Sequence, residues 1–519
     1  MRPPLPEWPD VEKLRGKLEE VGWEDGKKYG LKEHMLIETI IYDKVFDEAF
    51  ERINKNALED LTPAEKLEVL NQVKNLLNNA AEETLLEYLK YGINVTVKRE
   101  KRAYILIDYE NIENNTFIYA HELKFPGSPE NSKPDFTLLV NGIPLAVIEV
   151  EPSTEIGSVD RGIDQIRMYE QRSPDLFRYI QIGVAYADRK RFTPTYPNRT
   201  RERRIIPPQP WKVKKRADGK TITEEDIHDL LKPKTLLEII RWCTFFRERG
   251  GRKDKIVARY NQFEATKKAL QRINEYLSGG TKKSGLIWHW QGSGKTYTMF
   301  FIANKFFEEH FERNPLIFFI IDRKELQRQL TEFLNGLKAP RFKSYLKTIG
   351  NIDELKKVIT RIKRSEYREG IIARGIYVTL IQKFRRKDFE DLLKTLAMEY
   401  LDHLRENEPE TYKQMIKKLE KLPPDEKKEE LVKLGGINKS RDGSIEKLVD
   451  NKPKTAPAKS SPIPHTDNAK MLSFKSFSVI LAVTILSLSQ TRIYHKSLSL
   501  IHISEPTRPR LISYAVFCL

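Results

Sequence analysis

Residues 133–152 read KPDFTLLVNGIPLAVIEVEP. Two apolar runs with strand-like composition flank Asn141-Gly142, a strong short-range hairpin signal. Asp135 opens the first run, and Glu149 and Glu151 close the second. If Asn141 and Gly142 form a two-residue turn, Val140 faces Ile143, paired residue numbers sum to 283, and Asp135 falls opposite Ile148. Opposing Asp135 to Glu149 needs a sum of 284. That register requires a three-residue loop, Asn141 to Ile143, or a bulge at Gly142. Residues two apart share a face of a strand, so Glu151 then joins Glu149.

Three carboxylates converging without a cation repel one another, and either protonation or a divalent metal relieves them. Two acids and a base form the set that phosphodiester cleavage uses, and here the third member carries the wrong charge. A missing electrostatic contact of that kind costs about 10²–10³ in rate. Lys133, Arg161 and Arg167 are the nearby cations that could replace it. Arginine cannot act as a base but can stabilise charge. The competing reading of the same residues is an ordinary hairpin with a solvated acidic edge.

Working outward, the 519 residues are enough for about three domains. Lys and Arg number 91 against 74 Asp and Glu, a net charge of +17 that favours a polyanionic partner such as nucleic acid. Two cysteines, Cys243 and Cys518, make neither a disulfide framework nor a cysteine metal site, which fits a reducing cytoplasm. The N-terminus carries no signal-peptide core. The apolar run Phe477–Ser489 has 13 residues, and about 20 are needed to span a bilayer, so no membrane partner is expected.

Residues 1–200 read as one mixed α/β domain, helical to about residue 100 with Gly92 as a helix stop, then strand-like. A basic, Pro-rich linker covers 201–235. Residues 236–400 alternate strands and helices, which implies a parallel sheet. A charged helical segment fills 401–450, and 451–519 reads as linker and tail.

In that second α/β region, WHWQGSGKTYTM (288–299) lies between an apolar strand and an amphipathic helix. Glycines 292 and 294 let backbone N–H groups approach phosphates, and the helix N-terminus adds its positive end. Lys295 would reach the β- and γ-phosphates of ATP, and Thr296 would hold Mg²⁺. The strict phosphate-loop pattern is not met, since His289 stands where its first glycine belongs. A plain Gly-rich turn is the bland alternative. Upstream, RYNQ (259–262) offers Gln262, whose amide can bond both edges of adenine. Asp322 ends the apolar run PLIFFIID, and no strand-like run ending in Asp-Glu follows Thr379.

From about residue 7 to 385 the chain resembles the motor-nuclease (R) subunit of type I restriction enzymes. The resemblance rests on LEEVGW, PDFTLLVNGIPLAVIEVE, QIRMY, RYNQ, IWHWQGSGKT, FFIIDRKELQRQL and VTLIQKF in that order. It implies a PD-(D/E)xK-type nuclease domain followed by the first RecA-like lobe of a superfamily 2 helicase-like motor. It implies double-stranded DNA as substrate, ATP-driven translocation, and a complex with methylation (M) and specificity (S) subunits. By residue, it implies that Asp135 and Glu149 bind Mg²⁺, that Gln165 and Tyr169 form a Q-x-x-x-Y element beside them, that Gln262 reads adenine, and that Gly292, Ser293, Gly294, Lys295 and Thr296 hold the nucleotide.

Two departures stand out. Glu151 occupies the position of the family's lysine, and the acid box expected after VTLIQKF does not follow. The final stretch, SLSLIHISEPTRPRLISYAVFCL, resembles translated sequencing adapter, so the expectation is a truncated R subunit with a foreign tail after about residue 495. Two other readings stay open: an ATP-dependent DNA translocase or remodeller whose N-terminal domain only binds DNA, and a non-enzymatic basic binding module with a relic ATP loop.

Overall fold

A computed structural model describes residues 8–187 except Ser153 and Ile156, then 190–195, 211, 214–215, 221–222, 229–281, 284–287, 289, 292–321, 323–365, 367–368, 370–383, 389–435, 480–487 and 513–518. The chain forms two compact units, one comprising residues 1–264 with 336–338, the other 265–335 and 339–519.

In the first unit, helices α1 (Trp8–Glu20), α2 (Asp43–Ile53), α3 (Lys55–Leu58), α4 (Pro63–Asn79) and α5 (Glu82–Tyr91) precede most of the sheet. A capping box starts α4: the Thr62 side chain accepts from Glu65 N, Glu65 reaches back to Thr62 N, and Pro63 fills the first helical position. Gly92 ends α5 at φ +84°, as the sequence predicts, and a Cβ there would lie 2.4 Å from Tyr104 O. A hairpin of β2 (Ile93–Val97) and β3 (Glu100–Tyr104) follows.

The central sheet has six strands in the order β1 (Glu24–Asp25), β4 (Phe117–His121), β5 (Phe136–Val140), β6 (Ile143–Val150), β7 (Ile182–Ala187), β8 (Lys190–Thr195). Helices α6 (Ser158–Arg172) and α7 (Pro174–Tyr179) connect the parallel pair β6 and β7. Every residue of β5 and β6 is buried, as expected for strands covered on both faces.

Asn141 and Gly142 make the two-residue turn, with φ +52° and +76°. Two positive φ values match the right-handed twist of the flanking strands. The turn is internal rather than solvated. Asn141 Nδ2 donates to Leu106 O and Asn115 Oδ1, each at 2.9 Å, and its Oδ1 accepts from Thr116 N at 2.8 Å. Tyr42 N donates to Gly142 O at 2.8 Å.

The register begins as Val140 opposite Ile143 and Leu139 opposite Pro144, then becomes Leu138 opposite Ala146 and Phe136 opposite Ile148. Leu145 is the extra residue. The paired numbers therefore shift from 283 to 284, the register that opposes Asp135 to Glu149, but the shift lies at Leu145 and not at Gly142. Pro144 supplies the reason, because it has no N–H for the ladder and prolines inside sheets sit at edges or bulges.

The first unit extends past the expected domain boundary at 200, and past the expected start of the second domain at 236. Helix α8 (Pro233–Cys243) and the hairpin β11 (Thr244–Arg249) with β12 (Arg252–Val257) pack into it; the short pair β9 (Lys214–Lys215) and β10 (Thr221–Ile222) falls inside the predicted linker. Trp23 Nε1 donates to Leu231 O at 2.6 Å, Lys90 Nζ to Thr244 O at 2.5 Å, and Lys255 Nζ to Ile180 O at 3.1 Å. Lys90 also lies 3.6 Å from the centre of the Phe245 ring. Buried lysines need such partners, and these bind the hairpin to the first unit's core.

Helix α9 (Tyr260–Leu277) leads into the second unit, whose sheet runs β13 (Ser284–Leu286), β18 (Ser513–Cys518), β17 (Ile480–Ser487), β14 (Leu316–Ile321), β16 (Gly375–Leu380), β15 (Leu346–Thr348). Strands β17, β14, β16 and β15 pair in parallel, and only β18 runs against the rest. Two strands thus come from the segment that the sequence reading left outside the fold, and β17 takes up residues 480–487 of the apolar run noted there. Helices α10 (Lys295–Glu309), α11 (Lys324–Gly336), α12 (Pro340–Ser344) and α13 (Ile352–Arg364) alternate with these strands.

Helices α14 (Glu390–Asn407), α15 (Pro409–Glu420) and α16 (Pro424–Gly435) form one cluster around Ala397, Leu401, Leu419 and Leu434. The expected break at 400 is absent because the apolar seam of α14 continues through Leu396, Ala397, Leu401 and Leu404. Arg364 ties α14 to α13 through both oxygens of Glu399, at 2.8 and 3.0 Å. Among the described residues, no helix is long and apolar enough to cross a membrane.

A Cβ at Gly142 would meet Tyr42 O at 2.6 Å and Phe46 N at 2.8 Å, backbone atoms that cannot swing aside. Gly142→Ala is therefore expected to lower stability by about 1–3 kcal/mol. A urea midpoint equal to that of the parent protein would contradict this.

Candidate functional site

Asp135 stands immediately before β5 and Glu149 near the end of β6. The bulge brings them together: Asp135 N donates to Glu149 Oε1 at 3.4 Å, and Val150 N donates to Asp135 Oδ2 at 2.7 Å. Glu149 is 2% exposed. Glu151 lies just past the strand, its N–H bonded to Tyr186 O at 2.8 Å, so the parallel pairing with β7 still holds its backbone.

Helix α6 covers this end of the sheet. Gly162 allows the close approach, since a Cβ there would be 3.2 Å from both Glu151 Cγ and Ala185 Cβ. Arg161, Gln165 and Tyr169 are spaced by four and share one face of the helix. Gln165 Nε2 donates to the Tyr169 hydroxyl at 2.9 Å, and that hydroxyl donates to Lys133 O at 2.9 Å. The Q-x-x-x-Y residues are thus bonded to each other and to the segment leading to Asp135.

The three candidate cations separate. Lys133 pairs with Glu122, and Arg167 pairs with Asp164 at 3.0 Å. Arg161 places its Nε 3.3 Å from Glu151 Oε2 and pairs with Glu155 as well. Glu151, the third of the expected carboxylates, is paired with Arg161, and its charge still raises the Glu149 carboxyl. Among the described residues, no group of three His, Cys, Asp or Glu side chains is arranged to hold a metal ion. Glu151 is engaged by the guanidinium.

Burial pushes the Glu149 carboxyl well above the ordinary range, and the charge of Asp135 raises it further. Burial also raises the Tyr169 phenol, with Glu149 adding to the effect. Two carboxylates so coupled fit a divalent cation: their oxygens are hard donors, and the cation's charge would offset the repulsion that now favours protonation.

In the second unit, Gly292 and Gly294 both have positive φ, +79° and +80°. Ser293 between them is fully buried. Gly294 caps α10, its carbonyl accepting from Tyr297 N at 2.9 Å and Thr298 N at 3.2 Å. Among the described residues, its chain neighbours aside, nothing lies within 4 Å of the point where a Gly292 Cβ would stand. Lys295 and Thr296 open the helix, half-buried. His289 is buried; that burial, and the charge of Lys295, lower its pKa to about 4, so the ring is neutral near physiological pH. Trp288, Trp290, Gln291 and Asp322 lie outside the described residues.

Gln262, on the first turn of α9, is buried in the first unit, and its Oε1 accepts from Arg259 N at 2.9 Å. Trp211 packs beside this turn, its ring centre 5.6 Å from those of Tyr260 and Phe263. Sequence reasoning missed Trp211, whose one signal was a lone large aromatic in a Pro-rich, basic stretch.

Residues 12–202 match the family model described as the N terminus of type I restriction enzyme R protein, and residues 261–426 match that of the SWI2/SNF2 ATPase. A Methanocaldococcus jannaschii protein named as the MjaVIIP type I restriction enzyme endonuclease subunit is 45% identical over 68% of this chain and 38% of its own length. The type I restriction enzyme HindI endonuclease subunit of Haemophilus influenzae is 25% identical over 73% of this chain and 37% of its own. A solved fragment of an HsdR subunit from Vibrio vulnificus is 18% identical, covering 51% of this chain and 40% of that one, at a TM-score of 0.19 that carries no fold argument. The chain thus spans less than two fifths of the length of the curated relatives it matches.

A carboxyl whose pKa is higher in the folded than in the unfolded state favours folding when protonated. That contribution is present below the ordinary value of 4.5 and is lost as pH rises through the raised one. Glu149→Gln keeps an acceptor for Asp135 N and removes the charge. Without metal, the variant is expected to melt above the parent protein near pH 8, with the gap narrowing toward pH 4. An equal gap at both pH values would refute the assignment.

Proposed function

We propose that this chain, a member of the type I restriction enzyme R-protein family, carries the nuclease and the first motor lobe of an ATP-dependent enzyme that translocates and cuts unmodified double-stranded DNA. The observation that carries the reading is the shifted register, which sets Asp135 beside the buried Glu149. In this reading the first unit is a PD-(D/E)xK-type nuclease and the second is a RecA-like lobe of superfamily 2.

Asp135 and Glu149 would hold Mg²⁺, which would supply Lewis-acid polarisation of a phosphate and a more acidic water. The chain's own residues do the rest. Val150 N fixes the rotamer of Asp135, and the Gln165–Tyr169 pair holds the strand leading to it. Burial of Glu149 under α6 strengthens its electrostatic coupling to whatever binds there. In the motor, the N–H groups around Ser293 and the start of α10 cradle the ATP phosphates, with Lys295 and Thr296 toward the phosphates and Mg²⁺. The resemblance assigns the adenine contact to Gln262, whose Oε1 accepts from Arg259 N. Double-stranded DNA and the M and S subunits are the partners this reading assigns, and the surplus of basic residues supports the first of them.

One observation favours a second reading, a translocase whose N-terminal domain binds DNA without cutting it: Glu151 stands where a cation is expected. Supercoiled plasmid incubated with the chain and Mg²⁺ decides between them. Nicking that disappears in Glu149→Ala supports the nuclease, and nicking unchanged by that substitution removes it.

Lys295→Ala is expected to weaken binding of a fluorescent ATP analogue at least tenfold, about 1.4 kcal/mol. Unaltered affinity would dismiss the phosphate-loop assignment.

A further inference from the structure

The cation that the strand lacks at position 151 arrives from helix α6. Arg161 Nε lies 3.3 Å from Glu151 Oε2, and a second nitrogen pairs with Glu155. The Glu151 side chain is 13% exposed and that of Arg161 50%, so the acid is set into the protein while the guanidinium reaches solvent. Two backbone features make the geometry firm: the bond from Glu151 N to Tyr186 O, and the close packing that Gly162 permits against Glu151 Cγ. Of the three nearby basic residues, Lys133 and Arg167 pair elsewhere.

We infer that Arg161 is the charge-stabilising residue of the nuclease site, held in place by Glu151 and Glu155, so that the positive charge has moved from the strand to the facing helix. The inference rests on the nuclease reading above. A guanidinium is permanently charged and presents a fork that suits a phosphate, so Arg161 stabilises charge on the phosphate and transfers no proton. Glu151 is then an anchor and not a defect.

The arrangement predicts a non-additive pair. In the full chain, Arg161→Ala should reduce Mg²⁺-dependent plasmid nicking by about 10²-fold. Replacing Glu151 by Lys returns a cation to the strand and releases the need for Arg161. In a Glu151→Lys background, Arg161→Ala should therefore cost less than about threefold. Titration calorimetry with Mn²⁺ gives an independent readout: Arg161→Ala removes one positive charge beside the carboxylates, so Mn²⁺ should bind more tightly while nicking falls. A merely structural role would weaken both together.

Equal losses in the two backgrounds, no loss in either, or unchanged or weaker Mn²⁺ binding would each overturn the inference. Glu149→Ala separates the two levels. If it abolishes nicking and Arg161→Ala does not reduce it, the role of Arg161 falls and the nuclease stands. If nicking survives Glu149→Ala, or if neither the parent chain nor Glu151→Lys nicks, the nuclease reading falls and this inference with it. Nicking by Glu151→Lys alone would show that Glu151 silences the site and that Arg161 does not substitute.

Discussion

A proline in a strand sets the geometry of the first unit's candidate site. Pro144 cannot donate to the ladder, Leu145 bulges beside it, and every pair beyond that point moves by one residue. Because side chains alternate with a period of two, a slip of one residue exchanges the faces of everything downstream. Without the bulge Asp135 would oppose Ile148 and the paired acids would lie on opposite sides of the sheet. The coupling of Asp135 to Glu149 follows from that shift in register.

The same residues show how a site works against the stability of the fold that holds it. A carboxyl that is 2% exposed beside another acid is disfavoured as an anion. One neighbour reduces that cost: the backbone N–H of Asp135 lowers the shift that burial imposes. About two turns before Tyr169 along α6, the guanidinium of Arg161 offsets Glu151. The phosphate loop uses another strategy. Two glycines adopt positive φ around a buried serine, a conformation that exposes backbone N–H groups without bringing a charged side chain into the core.

Much of this was legible in the residues themselves. Alternation and the Asn-Gly pair located the hairpin, Gly92 stopped its helix, and the spacing of Gln165 and Tyr169 put them on one helical face. The arithmetic of the turn even named the register that paired acids need. It misplaced the bulge because a proline's lost donor was not weighed against a glycine's freedom. Other features were hidden for a common reason, which is that they depend on distant partners. Lys90 and Lys255 bind the 244–257 hairpin to the first unit through carbonyls far away in sequence, so no local change in composition marks the boundary at 264. Trp211 meets Tyr260 and Phe263 across a similar gap. Arg161 could be named as one of three cations, but only the folded pairing, with Glu151 for Arg161 and with Glu122 and Asp164 for the others, distinguishes it.

The internal placement of the Asn141 turn bears on how the unit is made. Its partners Tyr42, Leu106, Asn115 and Thr116 all precede it in the chain. On a ribosome, where N-terminal segments emerge first, the turn meets a scaffold already synthesised. Helix α6, which covers the acids, and β7, which pairs with the strand that carries Glu149, both come afterwards in the chain.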